Sequence, residues 1–190
     1  MGLELVYGCV IFSVMKSFLL QLFELIYEFV FWIPFHPIRK VLVKLTFKHV
    51  GKRVCLLRNL DIRKPRNIEI GHDVVINKRV LLDGRGGILR IGNHVDIAQE
   101  AVIWTLGHDV NGLKHDSCGA QTTIDDYVWI GARSTIMPGV SVGRGAVVGT
   151  CSVVTKDVPE NAIVAGVPAK VIGYRNNPLV YELNYKVWFR

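Results

Sequence analysis

From Ile124 onward an aliphatic residue recurs at every sixth position: Ile124, Ile130, Ile136, Val142, Val148 and Val154. Four places after each stands a small or β-branched residue, namely Val128, Ser134, Val140, Ala146, Ser152 and Val158. The earlier chain does the same with Ile70, Ile76 and Leu82, and again with Ile91, Ile97 and Ile103. A helix would repeat at about 3.6 residues and a half-buried strand at 2, so neither accounts for a period of six. The pattern is that of a mainly β chain wound as a parallel β-helix, in which each hexapeptide makes one short strand and three make a coil. Aliphatic residues then stack inward in ladders. Glycines such as Gly71, Gly92, Gly131, Gly143 and Gly149 are expected to serve the tight corners.

The count breaks twice. Between Leu82 and Ile91 it slips, and between Ile103 and Ile124 twenty residues, Trp104 to Thr123, intervene. A solenoid can eject such an insertion without disturbing its stack, and inserted loops are where repeat proteins place binding and chemistry. This one contains "WTLGHDVNG". Of the six histidines, His72 and His94 fall on outward corner positions, and His36 and His49 lie in a basic N-terminal region, so solvent exposure is expected for all four. His115 is in the loop but farther from its anchoring strand, which leaves His108 as the candidate general base. Imidazole suits that role because its ordinary pKa of about 6.5 leaves mostly free base at neutral pH. Asp109 is a poor partner for it, since adjacent residues of an extended chain point to opposite faces, and a backbone carbonyl could fix the tautomer instead. Cys118 is a weaker candidate, as a nucleophile.

Charge is unevenly placed. Residues 1–66 carry eleven Lys/Arg against Glu4, Glu24, Glu28 and Asp61, while residues 67–190 carry twelve of each sign and sum to zero. The four cysteines show no CxxC and no partner histidines at zinc spacing, so no structural metal or disulfide framework is expected, and with no signal peptide evident a cytoplasmic setting is the plain reading. Residues 3–33 are strongly apolar, but Glu4, Lys16, Glu24 and Glu28 interrupt every window long enough to span a bilayer. Ser17, Gln21, Glu24 and Glu28 instead form one narrow polar stripe on a helix that Pro34 and Pro37 end. A second helix starts at "IRKVLVKLTFKHV", within a run of ten Lys/Arg between Arg39 and Arg66. Two roles are open to these helices: capping the open end of the solenoid, or lying on an anionic membrane surface at the inner face of the cytoplasmic membrane. Nucleic acid is disfavoured as a partner by the apolar helix beside the basic run.

The stretches "IGNHVDIAQEAVIWTLGH" and "VWIGARSTIMPGVSVGRGAVVGTCSVVTKDVPENAIVAGVPAKVIG", in that order, resemble the hexapeptide-repeat acetyltransferases, above all the maltose/galactoside and colanic-acid-type sugar O-acetyltransferases. The resemblance covers about residues 50 to 175. It implies a left-handed coil, a homotrimer with active sites between neighbouring prisms, and acetyl-CoA as co-substrate with no metal. His108 matches the family's catalytic histidine. Asn77 matches a position beside the acceptor, and Asp83 is assigned with it to the acceptor side, although the slipped count puts the shape of that site in question. Coenzyme A needs cationic and backbone donors for its phosphates and a narrow apolar groove for its pantetheine. Ala132, Thr150, Thr155, Lys156 and Lys170 stand at matching places, with Trp129 and Arg133 nearby. Where the family often has an arginine after "VPAKVI", this chain has Gly173, with Arg175 two residues on.

The reading is therefore a helical segment over residues 1–50, a β-helix over 51–175 and a tail over 176–190. Its activity is acetyl transfer from acetyl-CoA to a hydroxyl of a saccharide, by direct attack and in the service of capsular or exopolysaccharide synthesis. N-acetylation of an amino sugar is the alternative on the same scaffold. A metal hydratase of the γ-carbonic-anhydrase kind would need three zinc-binding histidines, and no His-x4-His pair exists here. A scaffold without catalysis is separated from all of these by coenzyme A binding.

Overall fold

The computed structural model describes residues 2–188; within the first helix, side chains are described at positions 14, 15, 17–19, 21–23 and from 25 onward. The apolar and charged residues before position 14, together with Lys16 and Glu24, therefore lie outside the described side chains. The six-residue count becomes three parallel sheets that form the faces of a prism. The first face stacks strands at 49–50, 68–70, 89–91, 122–124 and 141–142. The second stacks 55–56, 75–76, 96–97, 129–130 and 147–148, and ends in an antiparallel pair, Ala162–Gly166 with Ala169–Tyr174. The third stacks 61–63, 81–83, 102–103, 135–136 and 153–154. Register is strict, with Ile76 on Ile97 and Ile97 on Ile130, so that every ladder residue named in the sequence is buried. This is the fold class expected from the repeat.

The corners work differently from the expectation. Residues with left-handed backbone (positive φ) stand at Arg53, Asp73, His94, Tyr127 and Gly145 along one edge, and at Asn59, Arg79, Glu100, Arg133 and Cys151 along the next, and none of the five glycines named above is among them. Each directly precedes the residue that turns inward, which is small or β-branched except at Leu60. Those glycines serve close approach instead: a Cβ at Gly71 would lie 2.5 Å from the Gly92 carbonyl oxygen, and one at Gly131 2.6 Å from that of Val148, whereas Gly139 and Gly145 do take the left-handed backbone. Coil stacking at strand distance leaves no room for a side chain there.

Helix α1 spans Gly2–Trp32 and α2 spans His36–Thr46, divided by the proline-bearing stretch at 33–35. Tyr27 and Phe31 of α1, Val43 of α2 and Phe47 after it are buried and continuous with the solenoid core, so the helices do cap its open end. Burial raises the Tyr27 hydroxyl to about 12, against the lowering effect of its hydrogen bond with Thr46. Two sequence expectations fail here. His36 is buried and its Nε2 accepts from the Leu56 N–H at 3.1 Å, which burial and the neighbouring Arg39 and Lys40 favour by holding the ring below its usual pKa. Arg39 is also buried, donating to the carbonyls of Leu56 and Ile33, so it belongs to the cap rather than to the basic surface. A charge inside is tolerable because its donors meet carbonyl oxygens left over at the chain reversal.

The tail runs back along the second face from the last coil towards the first. Arg175 donates to the carbonyls of Tyr127 and Gly145, Leu179 is buried, and Leu183 and Val187 cover Cys55, Leu57 and Val75. It ends at α2, where the His36 N–H donates to the Trp188 carbonyl at 3.3 Å.

Candidate active site

The long insertion is not a loose loop. Leu106–His108 pairs antiparallel with Ser117–Gly119, His108 opposite Ser117 and Gly107 opposite Cys118, so a β-hairpin leaves the third face immediately after strand 102–103. Its root is fastened by the slipped stretch at 83–88. The Asp83 carboxylate is fully buried and accepts from the backbone N–H groups of Leu106 at 3.1 Å and Thr105 at 3.3 Å, while its other oxygen takes the N–H and Nε of Arg85. The Gly86 N–H donates to the Thr105 hydroxyl at 3.0 Å, and a Cβ on Gly86 would collide with the Thr105 carbonyl and Gly119. The two breaks in the repeat are thus one structure: extra residues after Leu82 make the socket, and the insertion after Ile103 is held in it.

His108 sits on the hairpin, exposed, two residues beyond this anchor. Its Nδ1 lies 3.1 Å from the His115 carbonyl oxygen. A carbonyl only accepts, so Nδ1 carries the proton and Nε2 presents a lone pair to solvent. The His115 ring stacks on the His108 ring at 3.9 Å between centroids and 10° between planes, fixing its orientation. This is the backbone-carbonyl solution foreseen from sequence, with a second histidine supplying both the carbonyl and the stacking face. Asp109 takes no part; its carboxylate accepts from the Asn111 N–H. Cys118 is exposed on the opposite strand of the hairpin.

The remaining predicted residues fall into separate groups. Asp83 is corrected: with no exposed atom and its oxygens committed to the hairpin root and Arg85, it positions the loop and is not an acceptor contact. Asn77 lies on the second face, donating to the Asp96 carboxylate at 3.2 Å and the Ile97 carbonyl at 3.0 Å. Burial holds the Asp96 carboxyl above its usual range. No described contact joins this pair to His108 within one chain. Ala132 and Thr150 occupy successive coils at one corner, joined by the Cys151 N–H donating to the Ala132 carbonyl. Thr155 and Lys156 follow the last strand of the third face, and Lys170 lies on the closing antiparallel pair. Trp129 is half-exposed on the second face. Arg133 is engaged: its Nε donates to Glu100 at 2.6 Å, and Glu100 also holds Arg79, which draws the Glu100 carboxyl below its usual range.

A basin of ≈ 590 Å³, missed in the sequence, opens between the end of α1 and the third face. Tyr27, Glu28 and Trp32 form its helical wall, and Asn59, Asp61 and Arg63 with Arg85 its floor. Arg63 and Arg85 both lie over the Trp104 ring, at 5.3 and 5.9 Å, so the basin adjoins the hairpin root. No single motif could have announced it, because it joins a helix to two separate coils.

The family described as bacterial transferase hexapeptide (six repeats) matches residues 121–156. The galactoside O-acetyltransferase of Escherichia coli is 33% identical over 154 residues, 78% of this chain and 75% of that one. Another of its curated relatives is matched over only 55% of its length. Among solved structures, a galactoside acetyltransferase in complex with coenzyme A superposes with TM-score 0.71 at 28% identity, covering 82% of this chain and 80% of that one. A hexapeptide-repeat acetyltransferase of Vibrio cholerae complexed with acetyl-CoA gives 0.68 at 30% identity, covering 73% and 77%.

Proposed function

The chain belongs to the hexapeptide-repeat acetyltransferases, and from that premise we propose that it moves the acetyl group of acetyl-CoA onto a hydroxyl of a saccharide, with His108 as general base. One observation carries the assignment of the base: the His115 carbonyl holds the proton of His108 on Nδ1, leaving Nε2 ready to receive another. Nε2 takes the proton of the acceptor hydroxyl as its oxygen attacks the thioester carbonyl carbon. The tetrahedral oxyanion collapses, the C–S bond breaks, and the departing thiolate recovers the proton from the imidazolium. No acyl-enzyme is needed, because a thioester is already activated.

The acceptor occupies the basin beside Trp32, whose aromatic wall and mixed polar floor suit a sugar ring with apolar faces and hydroxyl edges. Coenzyme A lies along the third face toward Thr150, Thr155, Lys156 and Lys170. The assembly is a homotrimer. Its support is that the hairpin projects Val110 and Leu113, both fully exposed, away from its own solenoid. Acceptors are building blocks of capsule or exopolysaccharide, and the enzyme works at the inner membrane surface. Among the described residues no helix is long and apolar enough to cross a membrane, so the contact is peripheral, through the outward faces of α1 and α2.

The test is release of coenzyme A thiol from acetyl-CoA by purified protein over a panel of saccharides, beside His108→Ala. Acetyl transfer to a sugar hydroxyl that the variant loses supports the reading. Turnover kept above half by His108→Ala, or acetylation only of amino groups, overturns it.

A further inference from the structure

α2 has two apolar faces. His36, Arg39, Val43 and Phe47 turn inward, while Ile38, Val41 and Leu45, roughly on the opposite side at 100° per residue, are exposed. Beside that outer stripe stand Lys40 and Lys44, one turn apart. α1 adds a broad exposed surface from Phe18, Leu22, Leu25 and Phe29, since only its last turns pack on the solenoid. Where α2 meets the first corner of the prism there is a basin of ≈ 600 Å³. Lys40 and Lys44 enter it from the helix, His49, Lys52 and Arg53 from the first coil, and His72 from the second. Arg53 is neutralised by a bidentate pair with the buried Asp73, at 2.5 Å. Lys40, Lys44 and Lys52 have no carboxylate within ion-pair distance among the described residues. Three unneutralised ammonium groups thus converge from two elements on one concavity at the margin of an apolar surface.

We infer that this basin is a phosphate site that takes the phosphate-bearing headgroup of a membrane lipid while the outer faces of α1 and α2 enter the acyl boundary. The inference rests on the peripheral-membrane reading above and adds a ligand to it. Charge complementarity selects the occupant. A second copy of this chain would bring a net charge of +7, and its residues 67–190, which sum to zero, offer no negative surplus, whereas a lipid surface offers apolar depth and phosphate side by side. Lysine is a suitable phosphate binder as a point charge with rotatable donors, and the basin is open enough for a substituted phosphate.

The experiment is co-sedimentation of the full chain with three vesicle compositions: phosphatidylcholine alone, and phosphatidylcholine carrying either phosphatidic acid or phosphatidylserine at matched surface charge. Wild-type protein should prefer phosphatidic acid to phosphatidylserine, and inorganic pyrophosphate should compete for that preference only. Each lysine at an anionic surface is worth about a five-fold change in affinity, so Lys44→Gln with Lys52→Gln should weaken phosphatidic acid binding about 30-fold and abolish the preference. Lys64→Gln with Arg66→Gln removes the same charge outside the basin and should leave the ratio between the two lipids intact. Equal binding to both acidic lipids, unchanged by the basin variant, overturns the phosphate site while leaving the membrane reading standing. Failure to sediment with any vesicle overturns both, and larger assemblies that disappear on Ile38→Glu would then identify a second copy as the occupant. Acetyl transfer in detergent-free solution is measured separately and bears on neither outcome.

Discussion

The coils from residue 122 to 158 hold the six-residue count without interruption, whereas those from 68 to 121 break it twice. In the regular half the strands stack in parallel register, and the outward side chains form ladders such as Arg79–Glu100–Arg133 that extend across both halves. In the broken half, the slip at 83–88 and the insertion at 104–121 meet, and the stacked pair of His108 and His115 on the hairpin arises from their meeting. A repeat stabilises through sameness, each coil burying its neighbour's ladder. It can hold a reactive group in one orientation only where sameness stops and a second irregularity catches the first. On the function proposed above, the regular half is the place for a long ligand lying across several coils, and the broken half the place for a point of chemistry.

The sharpest way to divide the two halves is His108→Ala. Loss of a general base typically costs about 10² to 10⁴ in rate, and the exposed hairpin position implies an unchanged melting temperature and unchanged coenzyme A binding. Steady-state turnover with calorimetric titration of coenzyme A measures both. A fall in coenzyme A affinity as large as the fall in rate would mean the halves are not separable.

Gly86→Ala comes next. A methyl group there meets the Thr105 carbonyl and Gly119, so the hairpin must move from its socket, and overpacking of this kind costs about 1–3 kcal/mol. The regular-half counterpart is Gly143→Ala, where a Cβ would lie 2.8 Å from the Glu160 N–H nitrogen. Both should lower the melting temperature, but only Gly86→Ala should lower turnover per folded molecule. Asp83→Ala asks the same question more gently. It strips the Thr105 and Leu106 N–H groups of their acceptor, and a displacement of the order of 1 Å at His108 can cost up to about 10² in rate. Turnover should fall while the Michaelis constant for acetyl-CoA stays constant; an unchanged rate would show the hairpin holds its place without the carboxylate.

The ladders were legible because inward positions of a coil leave no choice of residue type, and His108 was legible because it stands at the end of a ladder that stops. Its partner was not. His115 is seven residues away, and only the reversal at 109–116 returns its carbonyl and ring to His108. The role of Asp83 was misread for a related reason: a carboxylate in an irregular stretch looks available, and its burial depends on backbone N–H groups twenty-two and twenty-three residues later. The expected corner role of Gly71, Gly92, Gly131, Gly143 and Gly149 fails because left-handed backbone and close approach both favour glycine in general, and here the first is carried mostly by residues such as Asp73, His94, Arg79 and Arg133. Burial of His36 and Arg39 was hidden by their place in a basic run, since only docking of α2 supplies the carbonyls and the N–H that satisfy them. The tail carried no repeat, and its course over Cys55 and Val75 follows from apolar positions too widely spaced to mark a strand or a helix.

Lys156→Ala and Lys170→Ala test the regular half directly. Both side chains are exposed, so each should weaken coenzyme A by only a few-fold, the scale of a screened charge contact. The effect should be smaller for dephospho-coenzyme A. Equal losses for coenzyme A, dephospho-coenzyme A and acceptor would assign the lysines to the fold.

The smallest effect is expected at Glu100, and it bears on whether the two halves communicate at their shared corner. Glu100 belongs to a coil of the broken half and holds Arg133, in the regular half, through Nε at 2.6 Å, while Arg79 reaches the same carboxylate from the coil before. Both arginines are well exposed, so the ion pairs are screened by solvent and contribute little to stability. Glu100→Gln should therefore leave the melting temperature at neutral pH nearly unchanged. The carboxyl is drawn below its usual range in the folded chain, so whatever stability it supplies is present above the ordinary glutamate pKa and fades as pH falls through the lower folded value, a dependence the glutamine variant lacks. Its effect on coenzyme A is the informative one. Released from Glu100, Arg133 can turn to a phosphate on the corner beside Ala132 and Thr150, and affinity should rise slightly, more for coenzyme A than for acceptor. If titration finds affinity unchanged, Arg133 serves the corner ladder alone, and the coenzyme site is bounded by Thr150 and the two lysines.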